Sequence, residues 1–76
     1  MMIDYTGCDW TAVDTLDNVR RIAGIPLQDP GWYSDGQKTY LLIYLNNRDS
    51  YRLVRWSSRD IRDELKVLLE LPVHNI

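Results

Sequence analysis

Cys8 and His74 are the single cysteine and the single histidine of this 76-residue chain, and the first side chains to weigh for nucleophilic or proton-transfer chemistry. They lie near opposite ends, with His74 after Pro72, so a Cys–His pair would require two chain ends to meet. Nucleophile-elbow, zinc-protease, Gly-rich phosphate-loop, dinucleotide-fingerprint and EF-hand patterns do not occur. Metal binding lacks a ligand set, because the acids are scattered and there is no second histidine. The expectation is a protein that is not an enzyme and carries no cofactor. A lone cysteine also excludes an internal disulfide framework, which fits a reducing compartment and places the chain in the cytoplasm by default.

With catalysis set aside, the chemistry worth positioning is that of contact. The chain has five tyrosines and three tryptophans but no phenylalanine. Tyr and Trp offer a large rigid ring together with a polar handle, the combination that interfaces favour. Tyr40, Tyr44 and Tyr51 with Arg55, joined by Trp32 and Tyr33, form the first candidate contact surface. Asp14 and Asp17 form a second, suited to a basic partner, although first-turn acids are also ordinary helix stabilisers. Arg48, Arg52, Arg55, Arg59 and Arg62 are a further cationic set, but Asp49, Asp60, Asp63 and Glu64 interleave with them, as on a solvated face.

Those rings need a ribbon to hold them. Residues 38–45 and 50–56 are rich in β-branched and aromatic types, and Asn46, Asn47, Arg48 and Asp49 between them read as a hairpin connection. An even loop sorts the side chains into two faces, Leu41, Ile43, Leu45, Val54 and Trp56 on one and Tyr40, Leu42, Tyr44, Tyr51, Leu53 and Arg55 on the other. Upstream, the turn formers Pro26, Asp29, Pro30, Gly31, Ser34, Asp35 and Gly36 mark a loop. Within it Trp32 and Tyr33 pair with the start of the hairpin through an Asp35–Gly36 turn.

Two helices frame this ribbon. Thr11 with Asp14 has capping-box spacing, Ala12, Leu16, Val19, Ile22 and Ala23 recur at helical intervals, and Gly24 stands at the C-cap, which predicts a helix over 11–23. Ser57 or Ser58 caps a second, whose stripe is Ile61, Leu65, Leu68 and Leu69 and whose end is Pro72, with fraying residues after it. Residues 2–5 are a candidate edge strand. The order is helix, short strand, β-hairpin, helix (α-β-β-β-α), which predicts a single-domain α+β two-layer sandwich with a small antiparallel sheet. That order has the coarse outline of a double-stranded RNA-binding domain, without the lysine cluster such domains carry, so no family is assigned.

Two arrangements of the tyrosine face follow. Either it is open to a partner, or the first helix lies over it with Leu16 and Val19 on the rings, which then complete the core. A net charge of −2 disfavours nucleic acid, and no apolar run is long enough to span a membrane. The leading expectation is a small stoichiometric factor of inhibitor, immunity or adaptor type, of the kind phages and mobile elements encode, that occludes a site on a larger protein target. The alternatives are a nucleic-acid-binding module that uses tyrosine stacking and arginine contacts, and a structural homo-oligomer or homodimer.

Overall fold

The alternation of Trp10, Ala12 and Asp14 with Thr11, Val13 and Thr15 decides the first element. In the computed structural model, which describes residues 7–35, 37–45, 49–57 and 71–75, this stretch is strand β1 (Trp10–Thr15), antiparallel to β4 (Ser50–Trp56). The expected helix over 11–23 is therefore corrected to α1 (Leu16–Ala23). Three β-branched residues at period two favour a pleated edge over a helix turn. The cap moves with the boundary: the Thr15 hydroxyl, not that of Thr11, accepts from the Asn18 amide at 3.3 Å. The C-terminal signal holds, since Gly24 adopts φ 71° and its amide donates to the Arg20 carbonyl at 2.9 Å. Replacing Thr15 with Ala is expected to cost about 1 kcal/mol in urea denaturation, and Thr15→Ser much less, because only the alanine removes the capping oxygen.

Strands β2 (Gly31–Ser34) and β3 (Thr39–Leu45) pair antiparallel with Tyr33 opposite Tyr40, and β3 pairs with β4 with Leu45 opposite Ser50. The even hairpin loop and both face assignments thus agree with the sequence reading. Asp35 organises the tighter β2–β3 turn: its carboxylate accepts from the Gln37 amide at 2.9 Å and the Lys38 amide at 2.8 Å. Those amides, Lys38 first, hold the carboxyl below the usual range.

A fifth strand, β5 (Val73–Asn75), runs parallel to β2, so the sheet order is β1-β4-β3-β2-β5. The α-β-β-β-α sandwich with a small antiparallel sheet is overturned by this five-stranded mixed sheet, which opens with a strand and takes in residues expected to fray. The helix expected between Ser58 and Pro72 and the edge strand expected at 2–5 lie outside the described residues. Among those described, no helix is long and apolar enough to cross a membrane.

The sheet carries apolar residues on both faces. On one, Val19 and Leu27 close over Tyr33, Tyr40, Leu42 and Leu53, with Trp10, Leu16, Ala23, Ile25 and Tyr51 at the margin. On the other, Trp32, Leu41, Val54 and Trp56 cluster with Cys8, Ile43 and Leu71, and the two indoles lie 5.9 Å apart. The Arg20 guanidinium fixes the segment after α1, donating from Nε to the Leu27 carbonyl at 2.9 Å and from Nη1 to Asp17 at 2.8 Å.

Candidate functional site

Strand register decides which of the singled-out residues meet. Asp14 on β1 stands opposite Tyr51 on β4, and Tyr51 opposite Tyr44 on β3, so the three form one row across neighbouring strands on one face. The two rings meet edge to face, with centroids 5.1 Å apart and planes inclined at 62°. Tyr44 is 44% exposed and Tyr51 half-buried, so the pair is braced from below while its outer ring remains open to contact.

Asp14 closes the row with a fixed carboxylate. Oδ1 accepts from the Asn18 side-chain amide at 2.9 Å and from the Thr15 backbone amide at 2.7 Å. These bonds, Asn18 first, hold the carboxyl below its usual range, so it keeps its negative charge well into mildly acidic solution. Asp17 extends the acidic character into the first turn of α1 and is exposed, although Arg20 pairs with it. A surface pair of this kind contributes little to stability.

The other candidates are placed elsewhere. Tyr40 is 3% exposed, and Tyr33, its neighbour on β2, is also buried, so both rings complete the core beneath Val19 and Leu27. The Tyr33 hydroxyl is already engaged, donating to the Asp29 carbonyl at 2.5 Å and accepting from the Gln28 amide at 3.1 Å. Trp32 is buried on the opposite face, and its indole N–H finds no acceptor among the described residues. α1 and the segment after it remove Tyr33 and Tyr40 from the exposed contact surface by covering the middle of the tyrosine face, and Trp32 is removed by its burial on the opposite face. The Tyr44 end of the tyrosine face stays open among the described residues. Arg55 is half-buried, donates to Asp9 at 3.2 Å and lies 5.3 Å from the Trp10 ring, and so is held by its own chain.

His74, expected in a loose end, stacks on Tyr33 at 4.5 Å with planes 17° apart, and Nε2 lies 3.4 Å from the Pro30 carbonyl. Cys8 packs on the opposite face, against the two-tryptophan cluster, so the two residues are not brought together. Among the described residues there is no group of three His, Cys, Asp or Glu side chains placed to hold a metal ion. Arg48, Arg59 and Arg62 lie outside the described residues. Comparison of the chain with models of protein families, with curated proteins and with solved structures finds no match.

Proposed function

We propose that the chain is a small non-catalytic factor that binds a larger protein through the row Asp14, Tyr51 and Tyr44, with Asp17 beside it, and acts by occluding that partner. The observation that carries the reading is the braced, half-open tyrosine pair next to a carboxylate whose charge and direction are fixed by its own hydrogen bonds. A rigid aromatic anchor loses little entropy on binding, and a neighbouring anion selects a partner offering a basic or hydrogen-donating group. A reducing compartment such as the cytoplasm is part of this proposal, and the lone cysteine, which can form no internal disulfide, supports it. An inhibitor or immunity role, and a phage or mobile-element source, rest on the small size and acidity of the chain alone.

The test is affinity capture from the native host at physiological salt, comparing the native chain with a Tyr44→Ser, Tyr51→Ser double variant. The expected result is a discrete protein retained by the native chain and lost by the variant, with circular dichroism unchanged. Retention by both moves the contact elsewhere on the molecule, and no specific retention by the native chain removes the reading.

A further inference from the structure

The two long sides of the sheet are not alike. β2 is covered on its outer side by β5, whereas β1, at the other end of the strand order, pairs only with β4 among the described residues. The Arg55 carbonyl accepts from the Asp9 amide at 2.7 Å and so points toward β1. Antiparallel alternation then directs the backbone groups of Trp10, Ala12 and Asp14 toward β4 and those of Thr11, Val13 and Thr15 toward the free side. Of these, the Thr15 amide is bound by the Asp14 carboxylate. What remains without a partner among the described residues is the N–H and C=O of Thr11 and of Val13, two donors and two acceptors at two-residue spacing.

We infer that this edge pairs with β1 of a second copy of the chain, antiparallel across a two-fold axis at Ala12, so that Thr11 of each copy faces Val13 of the other. This arrangement satisfies all four free groups with four hydrogen bonds and leaves the Asp14–Thr15 bond intact. A register centred on Val13 would instead demand the Thr15 amide that Asp14 already holds. Side chains agree with the backbone. Val13 is 53% exposed, Thr11 and Thr15 flank it on the same face, and no charge interrupts that face of the strand. Thr opposite Val is a favourable cross-strand pair, and Ala12 against its own copy allows close approach on the other face. An edge strand with unpaired backbone groups and one uncharged face is a template for another strand, and a two-fold axis makes one strand its own complement.

In sedimentation at rising protein concentration the native chain is expected to move from monomer to dimer mass, and Val13→Pro, which deletes an outward N–H without touching a bond to β4, is expected to stay monomeric. The register is read by disulfide trapping in a Cys8→Ser background. Ala12→Cys lies on the axis in a non-hydrogen-bonded pair, where Cα atoms about 4.5 Å apart suit a disulfide, and should trap a covalent dimer under mild oxidation. Thr11→Cys alone should not, but mixed with Val13→Cys it should. A concentration-independent monomer, or equal trapping of Thr11→Cys and Ala12→Cys, would overturn the pairing, and the trapping remains decisive if Val13→Pro fails to fold.

Discussion

Replacing Tyr40 with Ser is expected to unfold most of the protein, whereas the same change at Tyr44, four residues along the same face of β3, is expected to leave it folded. Tyr40 is sealed between Val19, Leu27, Tyr33, Leu42 and Leu53. Removing a buried ring costs about 3–5 kcal/mol, part lost transfer energy and part the cavity left behind. Small domains hold only several kcal/mol in total, so that loss is comparable to the whole. Tyr44 forfeits chiefly its edge-to-face contact with Tyr51, worth about 0.5–1.5 kcal/mol. Chemical denaturation followed by tryptophan fluorescence separates the two, and equal stability of the variants would place Tyr40 outside the core. A triple change of Tyr40, Tyr44 and Tyr51 therefore cannot report on binding, because one member holds the fold.

The contrast between those two tyrosines marks where sequence reasoning stops. Alternation correctly put Tyr40, Tyr44, Tyr51, Leu53 and Arg55 on one face, because a strand's period of two is a local property, and the even hairpin loop fixed their partners. Which end of that face is covered is a tertiary property, set by where α1 begins. Thr11 and Asp14 mimic a capping box, but Thr15 and Asn18 offer the same geometry one turn later, and the choice falls to the pairing of β1 with β4. Once the helix starts at Leu16 it is two turns long, covers the middle of the face and leaves the Asp14, Tyr51, Tyr44 row at its margin. β5 carried still less signal. Three residues after a proline have no periodicity, and their pairing depends on a glycine more than forty positions upstream.

That glycine gives the second large effect: Gly31→Ala is expected to detach β5 from β2 and to lower stability by about 1–3 kcal/mol from backbone strain alone. Gly31 has φ 149°, a conformation L residues rarely adopt, and a Cβ there would lie 2.5 Å from the Pro72 carbonyl oxygen and 2.8 Å from His74 Nε2. The same approach allows the Trp32 amide to donate to Pro72 at 2.8 Å and sets His74 flat on Tyr33. Relief would require β5 to move outward, which breaks the hydrogen bond and the ring stack together. Hydrogen exchange at the Trp32 amide reads the first loss, and a lowered midpoint in chemical denaturation reads the total. His74→Ala separates the contributions, since it removes the stack while leaving the Gly31 backbone unstrained and the Pro72 carbonyl in reach. It should cost about 0.5–1.5 kcal/mol, the worth of one aromatic pair, with the Trp32 amide still protected. If Gly31→Ala instead leaves that amide as slow to exchange as in the native chain, the parallel strand is not held by close approach at Gly31, and the docking of β5 must rest on His74.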